Sequence, residues 1–258
     1  MPLIAYTRAV SPRLADCELT HLERDPLDVA GAEAEHAQYE VVLASLGADV
    51  RRLPPTPHLP DGVFVEDAAV VLDEVALITR PGAVSRRPET ESVAAALGAH
   101  RPLVHITGPA TLDGGDVLAC GRTLYIGVST RTSRDAIAQA ATLLKPFGCT
   151  VVAVEFAGCL HLKSAVTRIT DDLLLLNPQW VRADAFEGFR SLAVDPSEPH
   201  AANALALGGA IVHPLQHART RARIEAAGFA VRTVPQVELA KAEAGVTCCS
   251  LLVAQDTG

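Results

Sequence analysis

Five short apolar stretches punctuate the chain: "DAAVVLDEVALIT", "GDVLACGRTLYIG", "SAVTRITDDLLLLN", "ALALGGAIVHP" and "CCSLLVA". Most of them read as two strands joined by a tight polar turn, at Asp73-Glu74, Gly121-Arg122 or Asp171-Asp172. A polar or reactive cluster stands before or at the start of each: "DGVFVED" from 61, "LDGGD" from 112, "HLKS" from 161, "HAANAL" from 200 and "TCCS" from 247. The clusters recur at roughly 40–50 residues, a period at which internal repeats build closed or solenoid arrays. Five units closed around an axis would deliver all five clusters to one place. An open α/β sheet with polar strand ends accounts for the same pattern, and the pattern alone leaves both open.

Four helices are legible between the hairpins. Residues 28–47, "DVAGAEAEHAQYEVVLASLG", carry apolar side chains every three or four positions and reach a natural stop at Gly47. In "RPETESVAAALGA", Pro88 sits near the helix start, Glu89 and Glu91 fall in the first turn, and Gly98 lies at the end. "SRDAIAQAATLLKPFG" and "ARTRARIEAAGF" are the other two.

The formal net charge of -8 comes without a Lys/Arg cluster, which argues against nucleic acid as a partner. No stretch approaches the roughly 20 uncharged apolar residues of a membrane span. The opening "MPLIAYTRAVSPR" is strand-like and broken by Arg8 and Pro12, unlike a secretory leader. The expected location is the cytoplasm, with no membrane partner. The six cysteines (17, 120, 149, 159, 248 and 249) include no C-x-x-C pair, so free thiols are expected rather than a disulfide framework or a structural zinc site.

Brought together, the clusters hold a specific set of reagents. Cys248 or Cys249 can act as a nucleophile, His161 as general acid and base, and Asp113 as the carboxylate that orients the imidazole. Read as part of a strand, the two cysteines point to opposite faces, so only one can face a given cleft. Asp61, Glu66 and Asp67 flank the apolar "VFV", and three carboxylates there require water or a cation. They are either a solvated turn with an arginine partner or a pocket for a planar guanidinium, which carboxylates grip bidentately. Gly114 and Gly115 either make a turn before a strand or let a ligand approach the backbone.

"PDGVFVEDAAVV", "ITRPGAVSRR", "LDGGDVL", "LHLKS", "EPHAAN" and "TCCS" resemble, in order and at similar spacing, the dimethylarginine dimethylaminohydrolase family. This resemblance covers residues 1 to 254. It implies the pentein fold, a five-bladed pseudo-symmetric α/β propeller of the guanidine-modifying superfamily, as one domain over residues 1–258. It implies Cys248 as nucleophile, with Cys249 its inward-facing neighbour, His161 as acid and base, and Asp113 as its carboxylate partner. Asp67 would bind the guanidinium with Glu66 in support, Asp61 the substrate α-ammonium, and Arg86 and Arg131 the α-carboxylate. Residues near Leu14 would form a mobile lid. The implied reaction is hydrolysis of Nω-methylated arginine to citrulline through a covalent thiouronium, with no metal or organic cofactor.

Two departures bear on the choice within the superfamily. Arginine deiminases resemble "EGGD" and place a second carboxylate two residues after the histidine. Here those positions are Asp113 and Lys163, which leaves room for an alkylated nitrogen. A deiminase, another guanidine hydrolase and a non-catalytic binding propeller are the alternatives. Zinc would be an inhibitor trapped by Cys248 and His161. The expected partner is a small-molecule substrate, with the chain a monomer or homodimer.

Overall fold

The computed structural model describes residues 3–255. Its strands form five three-stranded sheets, all on one plan. In the first, β1 (Leu3–Thr7) leads through helix α1 (Val29–Ser45) to the parallel β2 (Ala48–Arg52). In the second, β3 (Ala69–Val71) and β4 (Ala76–Ile78) make a hairpin, and α2 (Glu89–Leu97) carries the chain to β5 (Leu103–His105), parallel to β4. The third repeats this with β6 (Val117–Cys120), β7 (Thr123–Val128), α3 (Arg134–Leu144) and β8 (Thr150–Glu155).

The fourth unit opens on a one-turn helix, α4 (Leu162–Ala165), then β9 (Val166–Arg168), β10 (Leu173–Leu176) and β11 (Arg190–Ala193). The fifth comprises β12 (Leu205–Leu207), β13 (Ala210–Pro214), α5 (Ala218–Ala226) and β14 (Ala230–Val234). Finally β15 (Leu251–Ala254) returns to pair antiparallel with β1, so the two ends of the chain build one sheet and close the circle. The closed propeller is therefore the architecture, and the open-sheet alternative falls.

Two of the helices begin at a side-chain cap. The Asp28 side chain caps α1 by accepting from the Ala30 N–H, and Ser133 caps α3 by accepting from Ala136. Gly47 follows α1 with a φ of +93°, a left-handed conformation that glycine adopts without a Cβ clash.

The core is divided among the units. Five apolar clusters occur, and each lies between two neighbouring units. Alternation along a middle strand sends side chains to both interfaces. Leu124 and Ile126 pack toward the second unit, whereas Tyr125 packs toward the fourth. Likewise Leu173 and Leu175 face one neighbour, and Leu174 and Leu176 face the other. A strand covered on both sides reads as an unbroken apolar run, which is why "LLLL" shows no alternation.

The first strands of neighbouring units touch one another, as β3 with β15 and β9 with both β6 and β12. The turns that precede them carry the five polar clusters. Residues Val65–Ala68 and Gly114–Asp116 are 3-10 helices, and α4 is a single turn. Cys248 and Cys249 lie in a turn as well, closed by Cys248 N–H to Gly245 O (3.2 Å), with β15 beginning only at Leu251. The strand reading of the cysteine pair is corrected accordingly. The pair packs in a cluster at a turn, where strand alternation does not decide which way a side chain faces.

Candidate active site

The five turns are tied to one another in a ring. Gly115 N–H donates to Asp67 Oδ1 (2.9 Å), and Leu162 N–H donates to Asp116 Oδ1 (2.9 Å). Asn203 donates from Nδ2 to Lys163 O and accepts at Oδ1 from Thr247 N–H, both at 3.0 Å. Thr247 Oγ1 donates to Glu66 Oε2 (2.7 Å), and Glu66 N–H to Cys248 O (3.1 Å), which closes the circle. Every link crosses from one unit to the next, so the position of each reactive side chain is set by two neighbours.

The ring brings Cys248, His161, Asp113, Asp67 and Glu66 together. His161 Nε2 is 3.1 Å from Asp113 Oδ2, and Nδ1 is 3.8 Å from Asp67 Oδ1. Asp113 Oδ1 accepts from Gly82 N–H (2.8 Å). Asp67 Oδ2 pairs with Arg86 Nη1 at 2.6 Å. Glu66 Oε1 pairs with Lys163 Nζ at 2.6 Å, and both residues also line a cavity of about 270 Å³ bounded by the first strands. The Cys248 Sγ accepts from Gly245 N–H at 3.3 Å. Cys249 is buried in the cluster between the first and fifth units.

Electrostatics divide these groups by role. Burial disfavours the His161 imidazolium, but Asp67, the Asp113 hydrogen bond and Asp116 outweigh it and raise the pKa to about 9. Burial likewise works against ionisation of Asp67, yet the charges of His161 and Arg86 hold its carboxyl well below the usual range. The Cys248 thiol is pushed far up by burial, then by Glu66 and Asp67. Both directions favour the protonated forms, the Cys248 thiol and the His161 imidazolium.

Glu18 N–H donates to both oxygens of Asp61 at 3.2 Å, and burial raises the Asp61 pKa. Arg131 Nη1 is 4.0 Å from Asp113 Oδ2, and its Nη2 donates to Thr20 Oγ1 (3.0 Å). Arg86 is committed elsewhere. Its Nε and Nη2 bond Glu89 at 3.1 and 2.9 Å, Nη2 also donates to Phe64 O, and Nη1 holds Asp67. Among its five donors only one N–H on Nη1 is left for another acceptor.

Leu14, expected near a lid, is placed in the core. Its side chain is fully buried in the cluster between the first and fifth units, because its 3-10 turn packs inward. The segment that reaches over the site comes after it, through Glu18 and Thr20.

Several functional residues went unrecognised in the sequence. Gly114 and Gly115 are not spaces for a ligand. A Cβ on Gly115 would lie 2.5 Å from His161 Nδ1 and 2.7 Å from Asp67 Oδ1, and one on Gly114 would lie 2.1 Å from Glu66 O. Asp116, fully buried, accepts from Ser129 Oγ (2.6 Å) as well as from Leu162 N–H, which fixes the turn carrying His161. Asn203 bridges the fourth and fifth units. Their signal was present in "LDGGD" and "HAANAL": buried polar residues next to a reactive cluster must have partners. A metal could find one ligand atom each from Asp67, Asp113 and His161, all within 4.8 Å of one another.

Comparison with known proteins bears on the family and the fold. The arginine deiminase family model matches residues 55–200. The N(G),N(G)-dimethylarginine dimethylaminohydrolase of Streptomyces coelicolor is 44% identical over 172 residues, 66% of this chain and 67% of that protein. The enzyme of the same name from Pseudomonas aeruginosa is 33% identical over 226 residues, 87% of this chain and 89% of its own. A solved structure of a cysteine-to-serine mutant of that Pseudomonas enzyme, complexed with citrulline, superposes with a TM-score of 0.92 at 31% identity, covering 98% of this chain and 100% of the other.

Proposed function

Because the chain belongs to the dimethylarginine dimethylaminohydrolase family, we propose that it hydrolyses Nω-methylated L-arginines, asymmetric dimethylarginine and monomethylarginine, to L-citrulline and dimethylamine or methylamine. The observation that carries the reading is the meeting of Cys248, His161, Asp113 and Asp67 under the segment that holds Glu18 and Thr20. Asp67 and Asp113 orient the guanidinium. Asp61 receives the α-ammonium, and Arg131 the α-carboxylate, with the free N–H of Arg86 as a second donor.

The guanidinium carbon is a poor electrophile, so a thiolate held against it is required. Seating a cation beside Cys248 offsets the effect of Glu66 and Asp67, and the thiol loses its proton to solvent. The thiolate adds to the carbon, and the imidazolium of His161 protonates the departing amine, leaving a thiouronium and a neutral imidazole. His161 then takes a proton from water, whose hydroxide adds to the same carbon. Collapse expels the sulfur, releases citrulline and restores the thiol. No step calls on a metal or an organic cofactor. The pairing of Lys163 with Glu66 puts a cation where a deiminase would place its second carboxylate, which favours an alkylated nitrogen. The expected location is the cytoplasm; among the described residues no helix is long and apolar enough to cross a membrane.

The test is incubation with asymmetric dimethylarginine, monomethylarginine and arginine separately, with the amine and citrulline identified by mass spectrometry. Dimethylamine from the first, with little ammonia from arginine, is the expected result. Ammonia from arginine as the main product would make the chain a deiminase, and no product from any substrate would leave a hydrolase of another guanidine or a binding propeller.

A further inference from the structure

The site is closed. Asp61, Asp67, Asp113, His161 and Cys248 are each at most 9% exposed. A cavity of about 680 Å³ is walled by residues of the 21–25 segment and by Leu160 and Gly245, and none of those five groups lines it. A substrate enters only if the segment between Cys17 and Asp25 moves, so whatever holds that segment shut governs entry and the grip on the bound molecule.

One side chain holds most of it. The Glu243 carboxylate accepts three consecutive backbone N–H groups from the segment: Thr20 (2.8 Å), His21 (2.6 Å) and Leu22 (2.8 Å). Successive amides aimed at one carboxylate form an anion cradle, and N–H bonds to a charged acceptor are the stronger kind. Glu243 has a φ of +58°, unusual for a residue with a side chain. This conformation is imposed at the end of the 3-10 turn Leu239–Ala242. That turn is in turn anchored, because Glu35 of α1 accepts the N–H groups of Val237, Glu238 and Leu239. Two residues further on, Gly245 donates to the Cys248 sulfur.

We propose that Glu243 is a positioning residue, a latch that fixes the 18–22 backbone over the site. Held there, the segment presents Glu18 N–H to Asp61 and Thr20 Oγ1 to Arg131, the two groups assigned to the amino-acid end of the substrate. Glu243 touches no reacting atom. Its loss weakens binding of the amino-acid end and leaves the chemical step alone. The inference rests on the proposed substrate only for its kinetic readout.

Two variants test it. Glu243→Gln replaces an acceptor oxygen by an amide that faces an N–H. Glu243→Gly removes the latch while relieving the left-handed backbone, so it keeps the fold and its Tm does not fall. Both are measured first without substrate, by hydrogen exchange of the Thr20, His21 and Leu22 amides, which are expected to exchange at least about tenfold faster. With asymmetric dimethylarginine, KM is expected to rise about tenfold and kcat to stay within about twofold. Unchanged exchange in both variants would overturn the latch, as would faster exchange with an unchanged KM in an active enzyme. If exchange rises but the unaltered protein turns over no methylated arginine, the latch stands and the substrate assignment falls.

Discussion

Gly115→Ala perturbs a position where the backbone of one unit lies against catalytic groups of two others. Gly115 does not have a positive φ, so alanine meets no backbone penalty, and its N–H can still reach Asp67. Only space changes. The added methyl would lie 2.5 Å from His161 Nδ1, 2.7 Å from His161 Cγ and 2.7 Å from Asp67 Oδ1. Ordinary contact begins at 3.4 Å, so the imidazole or the backbone must yield by about 1 Å, in a region packed too densely to absorb it freely. Overpacking of this kind costs about 1–3 kcal/mol. The displaced ring leaves its 3.1 Å contact with Asp113, and a misplacement of about 1 Å costs on the order of a hundredfold in rate.

The assay pairs kcat for dimethylamine release with thermal unfolding and NMR titration of His161. A hundredfold fall in kcat, a Tm lower by several degrees and a His161 pKa moving from about 9 toward 6.5 are expected together. A variant with unaltered kcat and unaltered His161 titration would refute the view that this glycine exists to make room for the imidazole.

The cysteine pair and the pH dependence provide two further checks. Cys248→Ser is nearly isosteric and should abolish turnover with Tm unchanged, whereas Cys249→Ser should retain most activity and lose some core packing. Reversed effects on turnover would exchange their roles. His161 has a folded pKa raised from 6.5 to about 9, so its ion pairs stabilise the fold fully below pH 6.5 and this contribution is lost as pH rises through 9. Subtracting the pH–stability curve of His161→Gln from that of the unaltered protein should reveal that decline, on the order of a few kcal/mol by linkage; a flat difference between pH 6 and 10 would contradict it.

The long helices and the hairpins were legible in the sequence because they depend on local signals, whereas the outer parallel strands β2, β5, β8, β11 and β14 were not read. Asp28 and Ser133 cap where the helical period begins, Gly121-Arg122 and Gly208-Gly209 turn the hairpins, and the chain shows no helix in the fourth unit longer than one turn. Residues that react were legible because their chemical types are few. Those that hold them in place were less so. Asp116 and Asn203 bond partners 46 and 44 residues away, and no local pattern announces a bond across a unit boundary. Strand alternation predicts only that Cys248 and Cys249 face opposite ways, yet they lie in a turn where Gly245 packs closely on Asn203: a Cβ on Gly245 would lie 2.3 Å from the Asn203 side chain.

The absence of sequence identity among the repeats follows from how the two layers of the molecule are satisfied. At each interface between units the requirement is apolar volume at alternating positions, which Val, Ile, Leu and Ala can meet in many combinations. At the axis the requirement is the reverse. Asp67 and Asp116 each accept a backbone N–H from the next unit, while Lys163, Asn203, Thr247 and Glu66 join their neighbours through side-chain pairings of different kinds. A single polar truncation there leaves a buried partner unmet, at about 1–3 kcal/mol, while a conservative apolar change at an interface costs less. The interfaces therefore tolerate substitution better than the axial ring does.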